Sequence, residues 1–131
     1  MQASLVGLAD AARLSAGDKL HVEGVFDTIF AGAFPAVHPE MVLVVRVSLE
    51  AHDADREHRV RLRLLDETEQ LVLEQTAAVR VGPVPPGDAP STNLIYRLAG
   101  ATFAGPGRYR FVVTSGRSRL QVPFRVVRRD S

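Results

Sequence analysis

Met41-Val42-Leu43-Val44-Val45-Arg46-Val47-Ser48-Leu49 decides the fold. Met41, Leu43, Val45, Val47 and Leu49 fall on one face of an extended chain, and Val42, Val44, Arg46, Ser48 and Glu50 on the other. The period is two. A helix would place its apolar residues at i, i+3, i+4 and i+7, which this run does not. Successive side chains of a strand point to opposite faces, so the run predicts a strand with one face in a core.

The same period recurs along the chain. Val60, Leu62 and Leu64 alternate with Arg59, Arg61 and Arg63. Tyr109, Phe111 and Val113 alternate with Arg108 and Arg110, and Leu120, Val122, Phe124 and Val126 with Gln121, Pro123 and Arg125. The runs are rich in β-branched and aromatic residues, as strands prefer. Turn formers separate them: Ala16-Gly17-Asp18, the polar stretches His52 to Glu57 and Asp66 to Glu69, the long breaker Gly82 to Pro90, Gly105-Pro106-Gly107 and Ser115-Gly116. The spacing predicts about eight strands, near 3–14, 19–30, 40–51, 58–66, 70–81, 92–99, 108–115 and 118–128. Leu8 to Leu14, through Ala9, Ala11 and Ala12, is the one helical candidate. Short strands with regular turns argue an all-β, two-sheet antiparallel sandwich of immunoglobulin type. The 131 residues fit one domain spanning 1–131.

Alternation also suggests registers. Pairing Val47 with Leu62 and Val45 with Leu64 joins the third strand to the fourth. Pairing Leu64 with Leu71 and Leu62 with Leu73 sets Arg61 against Glu74 outside. Pairing Phe111 with Val122 and Tyr109 with Phe124 sets Arg108 against Arg125 outside. A slip of one residue would bury the arginine rows, so the faces are strongly specified. Pro123 lacks an N–H, which places the last strand at an edge or bulge.

Composition excludes several classes. A hydrophobic fraction of 46% and a charged fraction of 24% rule out a disordered tail, and the absence of Cys removes disulfides, thiolate metal sites and thiol nucleophiles. No apolar run approaches the roughly 20 residues of a membrane helix. Met1 to Ser4 carries no basic residue and the run Leu5 to Ala9 stops at Asp10, so a secretory leader is not expected and a cytoplasmic location is. Of the 16 basic residues only Lys19 is not Arg, which suggests GC-rich bacterial codon usage. The net charge of +1 hides an asymmetry: residues 1–88 carry −6, whereas 89–129 hold eight Arg and no acid. Such asymmetry marks either an anion-binding face or two segments that pair in the fold, and the second is expected.

Two segments carry a family resemblance. One runs from Gly17 through Gly24-Val25-Phe26-Asp27 to Phe34-Pro35-Ala36-Val37-His38-Pro39 and the strand after it. The other is Gly105-Pro106-Gly107-Arg108-Tyr109-Arg110-Phe111, followed by Val122 to Val127. Together they resemble an uncharacterised family of small bacterial proteins, a domain of unknown function. The resemblance covers nearly the whole chain and implies a β-sandwich. It implies no activity, cofactor or site residue.

The chain holds no phosphate loop, paired-His metal motif or nucleophile elbow. Gly105-Pro106-Gly107 precedes a strand rather than a helix and reads as a turn. Asp27, His38 and Glu40 flank one loop, and carboxylate with imidazole suits Zn, Mn or Fe. His21 and Glu23 lie two apart on one strand face. The expected role of Asp27 is nevertheless to cap a turn, and that of His38 is an ordinary loop residue. His52 and His58, with Asp53, Asp55 and Glu57, read as a solvated hairpin tip. Ser91, Thr92, Ser115 and Ser118 have no His–acid pair nearby in sequence. The reading is of a non-enzyme without cofactor or metal.

The most informative stretch is Phe26 to Pro39, with three of the six Phe. Phe30, Phe34, Pro35 and His38 form a candidate partner-binding loop, because exposed aromatics mark contact surfaces. The expected role is therefore a non-catalytic binding or assembly module, with a protein partner or a second copy bound there and no membrane contact. The alternative is an electrostatic binder of nucleic acid or another polyanion through Arg108, Arg110, Arg119 and Arg125. Nucleic acid is the less expected partner, since no aromatic lies on that outward face to stack a base.

Overall fold

The computed structural model describes residues 1–17 and 19–129, so Asp18 of the expected first turn lies outside the described residues. Among the described residues nine strands form two sheets: β1 (Gln2–Ser15), β2 (Lys19–Val25), β3 (Thr28–Ala31), β4 (Ala36–Ser48), β5 (Arg56–Leu65), β6 (Leu71–Val81), β7 (Ser91–Phe103), β8 (Gly107–Ser115) and β9 (Ser118–Arg128). The first sheet has the order β2-β1-β4-β7 and the second β3-β9-β8-β5-β6. All neighbours are antiparallel except β3 and β9, which run parallel. The all-β sandwich is as the sequence predicts. From β2 onward its connectivity is of immunoglobulin type: a first strand split between sheets, β4 beside β7, and β9-β8-β5-β6 opposite. β1 is inserted between the split strand and β4. No helix among the described residues is long and apolar enough to cross a membrane.

Leu8 to Leu14 is strand, as the expected strand near 3–14 has it and not the helical candidate, and it is paired with both β2 and β4. Two expectations need correction. The expected single strand 19–30 is two strands in different sheets, broken at Phe26-Asp27. Gly24, still within β2 and two residues before the break, has a φ of +70°, and the Asp10 side chain packs so close that an added Cβ would lie 3.2 Å from its Cβ. Second, β4 and β5 do not pair. Val47 and Leu62 both reach the core, but from opposite sheets. Alternation reports which face is buried and not which strand lies alongside.

The other registers fare better. β8 and β9 pair as expected, Tyr109 with Phe124 and Phe111 with Val122. β5 and β6 pair two residues from the expected register, Leu64 with Leu73 and Arg63 with Glu74. A shift of two keeps every side chain on its face. Arg61 still reaches Glu74 diagonally, Nε to Oε1 at 2.8 Å.

The core lies between the sheets. Met41, Leu43, Val45 and Val47 meet Val60, Leu62, Leu64, Phe111 and Phe124 across it. Tyr96 crosses from β7 to donate its hydroxyl to Val60 O at 3.1 Å, and burial pushes its pKa up to about 12. Val42 and Val44, on the outward face of β4, are also buried. The β1–β2 hairpin folds over them: Ala9, Ala12, Leu20 and Val22 pack there with Ile95, and Arg97 donates to Ala12 O at 3.4 Å.

The stretch read as a solvated hairpin tip instead carries the chain between sheets. A 3-10 turn (Ala51–Asp53) leads into it, and Asp53 is only 2% exposed. Its Oδ2 accepts from Glu50 N at 2.8 Å and lies 2.7 Å from the Met1 ammonium. Burial alone would raise its pKa, but the ammonium, the Glu50 N–H and His52 outweigh that and hold it below the usual value. Asp66 is also lowered, by the Gln70 and Thr68 N–H groups and the Thr68 hydroxyl. A depressed folded-state pKa contributes stability that is present above the unfolded value and lost as pH falls through the folded one. Thermal melting should therefore be flat through neutrality and fall below about pH 4. Asp53→Asn with Asp66→Asn should lower the melt at pH 7 and flatten the acid limb. A melting temperature that rises on acidification would contradict both assignments.

Candidate functional site: a seam groove beside an arginine cleft

Two strand edges are left without a partner strand where the sheets meet. β1 pairs with β4 from Gln2 and with β2 only from Ala9. β9 pairs with β8 along its length and with β3 only from Arg125. The first half of β1 and the first half of β9 thus face each other across a seam. Hydrogen bonds close it at both ends: Ala3 N donates to Ser118 Oγ at 3.2 Å, and Phe26 N donates to Leu8 O at 2.8 Å. Arg125 N donates to Asp27 O at 3.0 Å, so by alternation the backbones of Arg119 and Gln121 point into the seam, as does the Pro123 nitrogen. Pro123 therefore lies at an open edge, where its missing N–H leaves nothing unpaired.

The seam is a groove of about 370 Å³ lined by Leu5, Val6, Val25, Phe26, Val122 and Pro123, with Asp27 at one end. Leu5 is 46% exposed and Val25 66%. Leu5-Val6-Gly7 breaks the strict alternation, and the structure shows why: β1 is bulged between Leu5 and Gly7. A bulge re-aims side chains, here turning Leu5 and Val6 both outward.

Asp27 and Pro123 also line a second depression, a cleft of about 390 Å³ on the outer face of the five-stranded sheet with Thr28, Arg108 and Arg125. Arg108 and Arg125 are direct cross-strand partners, and Thr28 is the parallel partner of Arg125. The Arg125 N–H points to Asp27 O and the Arg108 N–H to Glu67 Oε1 at 2.7 Å, so the two face each other as a non-hydrogen-bonded pair, in which side chains stand closest. Gly107 makes this possible. It has a φ of +150°, and a Cβ there would lie 3.1 Å from Glu67 Cδ.

The four arginines of the last hairpin share the outer face but not one environment. Arg110 pairs with Glu69 and holds that carboxyl below its usual pKa. This is pairing between the acidic and basic segments. Among the described residues Arg108, Arg119 and Arg125 have no carboxylate within ion-pair distance.

The expected partner loop is shorter than the sequence suggests. Only residues 32–35 separate β3 from β4. Phe30 is 52% exposed, with the Arg129 guanidinium 4.2 Å from its ring centre. Phe34 packs against the core, with the Arg128 guanidinium 5.1 Å from its ring centre, and Pro35 follows it through a cis peptide. His38 stacks obliquely on Phe26 at 5.8 Å. Phe30 and His38 share one depression with Val25 and Phe26; Phe34 and Pro35 do not line it.

The acid–base candidates disperse. Asp27 accepts from the Thr28 hydroxyl at 2.9 Å, while Glu40 is exposed on β4. His21 and Glu23 line a shallow depression on the β1–β2 hairpin, and His21 Nε2 bonds Ser15 Oγ at 2.9 Å. His52, His58, Ser115 and Ser118 line another, in which His58 bonds Asp53 O rather than a serine. Among the described residues no three His, Asp or Glu groups converge as a metal site.

These features define an immunoglobulin-type sandwich with one inserted strand and an open seam. Residues 4–127 match a family described as a family of unknown function (DUF6941), and the chain belongs to it. No curated protein matches the chain.

Proposed function

We propose that this protein is a non-catalytic binding module that takes an extended segment of a partner protein as an added strand in the seam. The observation that carries the reading is the pair of facing strand edges, beside exposed Leu5, Val6 and Val25. Main-chain hydrogen bonds supply affinity in such strand addition and side-chain pockets supply selectivity. The open stretch from Arg119 to Pro123 suits a segment of about four or five residues at 3.3 Å each. A bacterial source accords with the Arg usage, and the cytoplasm is the compartment we propose, to be checked by cell fractionation.

The test is selection of random seven-residue peptides displayed against the immobilised protein. Enriched peptides should alternate apolar residues and should slow amide exchange at Leu5, Arg119 and Gln121. Val25→Arg should abolish enrichment with an unchanged melt. No enrichment, or protection confined to the outer edges of β6 and β7, would overturn the reading.

Polyanion binding is the second reading, favoured by the outward arginine rows of the five-stranded sheet. Glu69 and Glu74 interrupt them, pairing with Arg110 and Arg61. We expect no retardation of duplex DNA at physiological ionic strength. Retardation that weakens steeply with salt would place this reading first.

A further inference from the structure

We propose that the outer edge of β6 pairs with the same edge of a second copy of this chain, the two strands running antiparallel about Ala77. The inference is independent of the seam, which lies on the opposite side of the sandwich.

An edge strand offers a row of unpaired N–H and C=O groups, and proteins blunt such edges by shortness, charge, Pro or cover. Among the described residues the other outer edges are blunted. β3 has 4 residues. β2 is charged along its length through Lys19 and Glu23. β7 carries Arg97 near its middle, and Gln75 Nε2 takes the Arg97 carbonyl at 3.2 Å. β6 is 11 residues long, and its middle, Gln75-Thr76-Ala77-Ala78-Val79, holds no charge and no Pro. Its one register shift lies at the Leu71 end.

The direction of the backbone fixes what that edge offers. Asp55 N donates to Gly82 O at 3.1 Å, so Gly82 turns toward β5, and by alternation Arg80, Ala78, Thr76 and Glu74 do the same. Leu73, Gln75, Ala77, Val79 and Val81 then present their N–H and C=O groups to the open side. A two-fold axis at Ala77 makes an isologous contact. It sets Ala77 against Ala77, Gln75 against Val79 and Leu73 against Val81, each pair exchanging both main-chain hydrogen bonds. The ladder ends where Pro83, which has no N–H, meets Leu71, itself 54% exposed. Leu73, Ala77 and Val79 are half-buried on the core side, and the second copy covers them.

Charge selects both the occupant and the register. About Ala77, Glu74 lies opposite Arg80 of the second copy, and Arg80 opposite its Glu74. The backbones of these residues turn away from the interface, so each is a non-hydrogen-bonded pair, in which side chains stand closest. Within one chain Arg80 is opposite Glu57 as the wider, hydrogen-bonded kind of pair, and the two make no ion pair. Glu74 holds Arg61 through Oε1 and keeps its Oε2 for the interface. Across the joined sheet one row reads Glu57, Arg80, then Glu74 and Arg63 of the second copy, alternating in sign. An axis at Glu74 or at Arg80 would instead set like charges opposite one another, which repel. The edge is thus its own complement, and no foreign strand is needed to supply the matching charges.

Sedimentation equilibrium of the full chain should show monomer and dimer exchanging. Glu74→Arg and Arg80→Glu should each weaken the dimer by about 10-fold, because two opposite-charge pairs become two like-charge pairs. Mixed in equal amounts, the two variants should associate as the natural chain does, since each charge then meets its opposite on both sides of the axis. Thermal melting checks that each variant is folded. In the natural chain the amides of Gln75, Ala77 and Val79 should exchange more slowly as protein concentration rises, while those of Arg119 and Gln121 at the seam should not change. A natural chain that stays monomeric at its highest soluble concentration would overturn the interface. So would single variants that dimerise as tightly as the natural chain, folded variants whose mixture does not associate, or β6 exchange that ignores concentration. If a variant fails to melt cooperatively, the exchange result decides. Each of these failures leaves peptide docking at the seam standing.

Discussion

Phe103→Ala is expected to lower the free energy of unfolding by about 3–5 kcal/mol, the usual cost of emptying a buried aromatic site. Phe103 is fully buried near the end of β7 and meets Tyr109 edge-on at 4.9 Å and Phe124 edge-on at 6.0 Å. Phe124 in turn stacks on Tyr109 and Phe111. One ring from the four-stranded sheet thus closes a cluster built on the other sheet, and its loss opens a void between layers. The sheets cannot collapse into it, because Tyr109 is tied back by its hydroxyl to Gly105 O at 2.7 Å. Urea denaturation should show a shifted midpoint with an unchanged slope. A shift below about 1 kcal/mol, the centre for arbitrary point mutations, would mean that the cluster is not packed as described.

Leu62→Ala should cost about 2–5 kcal/mol, and Arg61→Ala should stay within about 0.5 kcal/mol of the natural chain. Leu62 is fully buried on the central part of β5, between Gln75 of β6 and Val113 of β8. Arg61, the next residue, points outward to an exposed pair with Glu74, of the kind that contributes little. Adjacent residues with opposite sensitivities are the direct signature of the pleat. If Arg61→Ala proved the costlier change, the face assignment of β5, and with it the arginine face, would be reversed.

The faces were legible because burial acts on each residue separately: Val60, Leu62 and Leu64 could be assigned inward without knowing what they meet. Neighbours were not, because partner choice depends on where connections run. The β8–β9 register was readable from alternation, and the two-residue turn Gly116-Arg117 between paired Ser115 and Ser118 holds it. The β4–β5 relation was not, since nothing local in Ala51 to Asp55 says that the chain changes sheets there. The split of β2 from β3 follows Phe26 N turning to Leu8 O and Arg125 N to Asp27 O, contacts between residues eighteen and ninety-eight positions apart that nothing local announces. At the site, Arg108 and Arg125 were placed opposite one another from the sequence. Leu5, Val6 and Val25 were passed over, although the doubled apolar pair before Gly7 is the mark of a bulge. Phe34 was read as a contact residue because its Gly and Pro neighbours suggested a long loop, whereas the short connection folds it against the core.

The parallel contact of β3 with β9 also governs how the chain reaches this fold. Thr28 pairs with Arg125 and Ala31 with Arg128, so that edge cannot form until segments from near the two ends have met. Closing so long a loop costs entropy before any contact offsets it, which places folding of sandwiches of this kind in the millisecond-to-second range. Until then the whole outer edge of β9 is bare and can be paired by the wrong chain. Pro123, which offers no N–H, and the charges of Arg119 and Arg125 along that strand are what limit such mispairing. Replacing Pro123 with Val should therefore leave the native melt nearly unchanged and lower the refolding yield as protein concentration rises.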